Sequence, residues 1–522
     1  MSDQEWTFVA NEDELTEKDP VSVKVGKKTV MVVRVEGEIH ACGGKCTHYG
    51  APLKKGFIRG KSVTCPWHGA RFDVTTGEMQ SPPALSSVGC HPVKVEDGKV
   101  YVGPEKESPE PGRRTEDDDR TVVIVGGGAA ANACAETLRK DGFGGRVVMI
   151  TREPDLPYDR PSLSKEFLSG EAPSKWIPLH SPEFYEKRDI EILTNREAVR
   201  LHCERDAVEL KDGEKIEYDM LLCATGSFPR SLDLDGTELP GFFVLRSFHD
   251  ARELVKFAKQ ARSAVVLGAG FIGMEAASAL TERGVEVHVA APESVPMSRA
   301  FGEDVGTWIQ NLHEQHGVHF HMGNTAGLIR GDEKVEEVVL SDGANISADL
   351  VLAGLGVSTA VDWLAGSGLV EEGAVPVDEH LRTEVPNVYA AGDIARVPSP
   401  LTGESHRIEH WAVAERQGQH AARAMMGSEE PYREVPFFWT MQFETPLKYT
   451  GYPTDWDQMA VRGDVSEGNF LVGYYTDGEL TALAASARTE EFIACGELLK
   501  ECRNIAYKDF VDPDTDIPSL LD

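Results

Sequence analysis

Four residues near the N-terminus could hold a metal: Cys46 and His48 in "KCTHYGAPL", then Cys65 and His68 in "TCPWHGARF". Thiolate and imidazole are the usual protein donors for borderline and soft metals. A zinc site with two cysteines and two histidines normally groups like ligands, whereas here each segment supplies one of each. The mixed pairing suits a two-iron, two-sulfide cluster in which two cysteines hold one iron and two histidines the other. Zinc, or an empty remnant of such a site, is the alternative. Cys42 lies beside the pattern and reads as a spare thiol in a turn.

Two glycine-rich segments bring a different chemistry. "VVIVGGGAAANACAETL" sets Gly126, Gly128 and Ala131 in the G-x-G-x-x-G/A arrangement, and "AVVLGAGFIGMEAASAL" sets Gly268, Gly270 and Gly273 in its all-glycine form. Each follows an apolar strand and opens a helix. The first glycine makes the turn, the second admits a pyrophosphate, and the third position needs a small side chain where helix meets sheet. The helix N-terminus then offers amide donors to the phosphates. Two such loops imply two dinucleotides. The acid expected at the first ribose is Glu153, with Arg152 beside it. The acid expected at the second is Glu293, which favours an unphosphorylated ribose and hence NADH, while Arg299 could tolerate a phosphate.

These groups need elements to hold them. From Val21 to about Val102 short β-branched runs alternate with turns, including an Asp97-Gly98 hairpin signal, so the four metal-site residues belong to a small all-β domain at 1–103. Residues 104–120 are rich in proline and charge and read as a solvated linker. Beyond them strands and Ala-rich helices alternate as a parallel sheet requires, giving an α/β dinucleotide domain over 121–240 and a second over 241–365. The first resumes over 366–432, and an α+β module closes the chain at 433–522.

The formal charge of −33 repels phosphate backbones and anionic lipid, which argues against nucleic acid and membrane as partners. The N-terminus lacks the basic flank and apolar run of a signal peptide, and no apolar stretch approaches the length of a membrane span. The expectation is a cytoplasmic enzyme with reduced thiols. Whether it works alone or as a homodimer stays open.

From Thr121 onward, "LPYDRPSLSKEFL", "LLCATGSFPR", "LGAGFIGMEAA", "NVYAAGDIA" and "RIEHWAVAERQGQHAA" together resemble the two-dinucleotide flavoprotein reductases, in particular the ferredoxin reductases of oxygenase systems and the apoptosis-inducing-factor-like proteins. The resemblance implies that Arg160, Lys165, Arg246 and Asp393 contact FAD. It implies that Lys165 and Glu275 form a buried pair at the catalytic flavin ring, and that His410, Trp411 and Trp439 line the ring's far side. Ile272 and Glu409 would belong with NAD(P)H. The disulfide-reducing relatives carry two cysteines in the helix after the first loop. Here that helix has only Cys134, so a thiol relay is not expected.

"HYGAPL" and "CPWHG" resemble Rieske loops, where glycine and proline let backbone amides approach the sulfides. High-potential Rieske proteins add a cysteine to each loop and place hydroxyls after the second. Here those positions hold Ala51 and Trp67, and Ala70 and Phe72. Fewer donors to the cluster stabilise its reduced form less, which implies a potential near about −150 mV, the low end of the range. The implied activity is NAD(P)H-dependent reduction, with NADH preferred, through FAD to the cluster and on to an acceptor such as an oxygenase, a cytochrome or a redox carrier. The alternative is an apoptosis-inducing-factor-like flavoprotein acting mainly through partner binding.

Overall fold

A computed structural model describes residues 6–104, 118–452 and 455–521. Most of the linker expected over 104–120 falls outside the described residues. The N-terminal part is all β. One four-stranded sheet runs Val21–Val25, Lys28–Val35, Glu38–Gly43, Cys90–His91, and a second runs Phe57–Arg59, Ser62–Thr64, Arg71–Asp73, Met79–Ser81. A third, three-stranded sheet is closed by Asp97-Gly98, both at positive φ, as a two-residue hairpin between paired Glu96 and Lys99 requires. Cys42 is not in a turn: it lies buried within strand Glu38–Gly43, opposite Cys90. The alternation of that strand turns its side chain into the core.

Two parallel five-stranded sheets follow the same plan. In the first the order is Ile190–Leu193, Arg146–Ile150, Thr121–Val125, Met220–Cys223, Val388–Ala390. In the second it is His319–Met322, Glu286–Ala291, Ser263–Leu267, Leu350–Ala353, Phe242–Val244. Each central strand runs into its glycine loop, and each sheet is accompanied by a three-stranded antiparallel ribbon. The loose duplication in the sequence is thus a duplication of topology. Strand Val388–Ala390 brings the chain back to the first sheet, and helix Trp411–Met425 then packs on helix Ala129–Lys140. A Cβ on Gly418 would sit 2.1 Å from the Ala130 carbonyl, so only glycine allows that approach. A five-stranded antiparallel sheet and helix Thr489–Lys500 complete the chain. Among the described residues, no helix is long and apolar enough to cross a membrane.

Candidate functional site

The two metal-site segments fold alike. In the first, the Cys46 amide donates to the Ala51 carbonyl at 2.9 Å and the Gly50 amide to the Cys46 carbonyl at 2.9 Å; in the second, Cys65 donates to Ala70 at 2.7 Å and Gly69 to Cys65 at 3.2 Å. Gly50 and Gly69 both take positive φ, which a side chain would oppose. Each loop turns its cysteine sulfur toward two backbone amides, those of His48 and Tyr49 for Cys46 and those of Trp67 and His68 for Cys65. The two thiols share a hydrogen bond that lowers Cys65 and raises Cys46, so the pair surrenders its first proton readily.

The two histidines meet through Nδ1 atoms 2.8 Å apart. Burial pushes His48 down to about 3, and burial together with His48 takes His68 well below the ordinary imidazole range. Both rings are therefore neutral and carry lone pairs. Two adjacent sulfurs, two converging imidazole nitrogens and amide donors at the sulfurs fit the two-plus-two demand of a Rieske cluster. Zinc would require no such division. Ala51, Ala70 and Phe72 are buried, and Trp67 is exposed.

The flavoprotein half contains a cavity of about 1150 Å³. It runs from the first glycine loop, past Arg160, Lys165 and Asp393, to Trp439 and the start of the second glycine helix. Gly126 and Gly268 take positive φ, and added Cβ atoms would strike the Ala224 and Gly354 carbonyls at 2.1 and 2.5 Å. A Cβ on Gly273 would lie 2.0 Å from the Gly268 carbonyl. Gly128 and Gly270 differ: a Cβ there meets no protein atom within 4 Å. Their missing side chains leave a cradle for something other than protein, which is the fit expected of bound dinucleotides. Ala131 is buried in its helix.

Around the cavity the polar groups are paired. Lys165 reaches Glu275 at 2.9 Å, and Glu275 also accepts from Thr440 at 2.7 Å and from Ser164. Arg246 meets Asp393 at 3.0 Å, and Ser227 donates to the same carboxylate. Burial and the neighbouring Arg160 lower Arg246. Glu153 accepts from Arg160 at 3.1 Å and from Tyr158, while Arg152 stacks on Phe228. Glu409 lines the cavity and pairs with Arg407 at 2.5 Å; Ile272 and Trp411 also line it. His410 stacks on Phe438 at 4.1 Å, and burial pushes it down to about 4. Glu293 and Arg299 lie outside the cavity lining and pair with each other at 3.3 Å.

The cluster loops sit on this cavity's wall. The ring of His68 lies 4.2 Å from that of Trp439 and His48 lies 6.0 Å from it. Lys448 donates to the Pro66 carbonyl at 2.5 Å, Arg416 to that of Gly69 at 3.3 Å, and the Tyr49 hydroxyl to Asp159. Glu434 joins Arg71 of the N-terminal part to Lys500, both at 2.5 Å, with Arg416 at 3.7 Å. Glu434 and Lys448 carry no local signal in the sequence, whereas Tyr49, Asp159 and Arg416 lie within the quoted motif segments but are not singled out there.

A β domain with a two-Cys, two-His pocket, seated on a two-dinucleotide α/β fold, defines a class: a flavoprotein oxidoreductase with a built-in Rieske domain. Comparison with known proteins agrees. Residues 5–92 match the Rieske [2Fe-2S] domain, 120–418 the pyridine nucleotide-disulphide oxidoreductases and 437–521 the reductase C-terminal domain. The chain belongs to the pyridine nucleotide-disulphide oxidoreductase family, and its cofactors are FAD, NAD(P)H and a Rieske [2Fe-2S] cluster. It is 38% identical to apoptosis-inducing factor 3 of Homo sapiens over 504 residues, covering 92% of this chain and 82% of the human one. It is 32% identical to rhodocoxin reductase of Rhodococcus erythropolis over 384 residues, covering 73% of this chain and 90% of that protein. A solved relative is the ferredoxin reductase for the CYP199A2 system of Rhodopseudomonas palustris, with TM-score 0.74 and 30% identity, covering 77% of this chain and all of that one.

Proposed function

We propose that this chain is an NADH-preferring reductase that sends electrons through its own Rieske domain to an external acceptor protein, an oxygenase, a cytochrome or a soluble redox carrier. The observation that carries this reading is the seating of the His48–His68 pair against Trp439 on the cavity wall, 4.2 Å from ring to ring at His68. When bound, the flavin would supply the conversion of a two-electron hydride donor into single-electron steps, and the cluster would supply a one-electron acceptor.

The chain's residues set the geometry for that exchange. Gly126, Gly128 and Ala131 would admit the FAD pyrophosphate, with Glu153 at its ribose and Arg160, Arg246 and Asp393 along its length. Gly268, Gly270 and Gly273 would admit that of NADH, with Ile272, Glu409 and Glu293 beside it and Arg299 neutralised by Glu293. Lys165 and Glu275 present a paired, orientated charge to the flavin ring, and His410 presents a neutral imidazole. Cys46, His48, Cys65 and His68 would hold the cluster, Trp411 and Trp439 would close the ring's far side, and Trp439 would fill the gap to His68. The parts divide as 1–103 for the outlet, 121–240 with 366–432 for FAD, 241–365 for NADH and 433–522 for the wall between. Because the wall and the outlet belong to one chain, no partner subunit is needed to complete the path, and a cytoplasmic setting suits its free thiols.

A second reading is favoured by the human relative, whose match covers 92% of this chain: an apoptosis-inducing-factor-like protein acting through partner binding. Replacing Cys65 by Ser separates the two. The reductase reading predicts rapid NADH-dependent cytochrome c reduction that collapses in the variant. Slow reduction that the substitution leaves unchanged would support the second reading.

A further inference from the structure

The second parallel sheet ends in an edge strand, His319–Met322, paired with Glu286–Ala291 in the register His288 to His319 and Ala290 to His321. Residues two apart on a strand share a face. Glu286, His288, His319 and His321 therefore gather on one face, while Val287 and Val289 enter the core on the other. The rings of His288 and His319 stack at 4.8 Å.

Glu286 Oε1 lies 3.5 Å from His288 Nε2 and 3.9 Å from His319 Nε2. The ligand atoms of these three residues all fall within 4.8 Å of one another. The other nitrogen of His288, Nδ1, is 3.1 Å from Nε2 of His321. A bond between two imidazoles needs one donor and one acceptor. With Nδ1–H of His288 donating, its Nε2 keeps a lone pair directed at Glu286 and His319. This is the arrangement in which an outer partner fixes the tautomer of a metal-binding histidine.

We propose that Glu286, His288 and His319 form a surface site for one divalent transition-metal ion, zinc by the chemistry of its donors, with His321 as the positioning residue behind His288. Tetrahedral zinc with bonds of 2.0–2.1 Å sets its ligand atoms roughly 3.3 Å apart, so the two carboxylate distances need to close by only about 0.2 and 0.6 Å. The side chains that must move, Glu286 and His319, are 61% and 56% exposed. Two imidazoles and a carboxylate leave the fourth position to water. Glu286 is the first residue of its strand, so the site lies at the end opposite the glycine loop, away from the hydride chemistry. The ion ties the edge strand to its neighbour, at the place where a sheet is otherwise open to pairing.

The test is calorimetric titration of Zn²⁺ into the oxidised, cluster-loaded protein with excess Mg²⁺ present, for wild type, His319→Ala, His288→Ala and His321→Ala. NADH–ferricyanide activity serves as the check that each variant is folded. Wild type is expected to bind one more zinc than His319→Ala or His288→Ala, at unchanged activity, and His321→Ala to bind it at least about tenfold more weakly. Mg²⁺ should not compete, because imidazole donors favour zinc and the strongly acidic chain attracts both ions alike. Superimposable isotherms for wild type and His319→Ala, or displacement of zinc by Mg²⁺, would overturn the site.

Discussion

Replacing Glu434 by Gln should uncouple the cluster domain from the flavin without disturbing the flavin itself. Glu434 is the shared anion for Arg71, Lys500 and Arg416, and among the described residues the first of these links it to the N-terminal part. Burial works against its charge, yet Arg71, Arg416 and Lys500 together hold the carboxyl well below the ordinary carboxylate range. Removing one partner of a buried ion pair costs about 3–5 kcal/mol, because the remaining charges stay buried. The Glu434 side chain is 22% exposed, so water returns part of that, leaving about 2–3 kcal/mol. That corresponds to about a 30- to 160-fold fall in the docking equilibrium. Stopped-flow mixing with NADH would read the two steps apart, flavin bleaching reporting hydride transfer and cluster absorbance reporting the electron's exit. The expected result is unchanged bleaching and markedly slower cluster reduction, reproduced by Arg71→Ala. Cluster reduction within twofold of wild type in both variants would show that the seating on Trp439 does not depend on these contacts.

Further consequences follow from single distances. Gly270→Ala adds a methyl to open space and Gly273→Ala adds one 2.0 Å from a carbonyl, so the first should raise the KM for NADH at unchanged melting temperature and the second should lower the melting temperature. Glu275→Gln strips Lys165 of its counter-charge and keeps an oxygen acceptor for only one of Thr440 and Ser164, so a loss of about 2–4 kcal/mol with weakened FAD retention is expected, measured by urea unfolding and flavin release. Burial pushes Asp159 from 3.8 up to about 6. The folded protein then binds this proton more tightly than the unfolded chain, so its ionisation is a penalty present above about pH 6 and relieved as pH falls toward about 4. Asp159→Asn, which still accepts from Tyr49, should therefore flatten the stability profile between those values by at most about 3 kcal/mol. An unchanged slope in urea unfolding would count against this.

What the sequence made legible was local. Cys46, His48, Cys65 and His68 are readable because each loop is closed by hydrogen bonds within six residues, and the glycine loops because turn, strand and helix adjoin. Asp97-Gly98 announced its hairpin for the same reason. The seating of the cluster domain was not legible. It depends on Tyr49 with Asp159, Arg71 with Glu434 and Pro66 with Lys448, pairs 110, 363 and 382 residues apart. Such pairs are chosen by the packing of finished domains, and no spacing records them. The histidine face is an intermediate case: "EVHV" and "HFHM" show the alternation, but only strand pairing brings the two segments together.

In the proposed path NADH electrons reach the cluster through the flavin of the same chain. Anaerobic titration with NADH at high dilution, followed by absorbance and EPR, tests it most directly. Flavin bleaching should be accompanied by a Rieske-type signal of low average g, at a rate independent of protein concentration. A bleached flavin with no such signal, or a cluster reduced only in proportion to protein concentration, would contradict it.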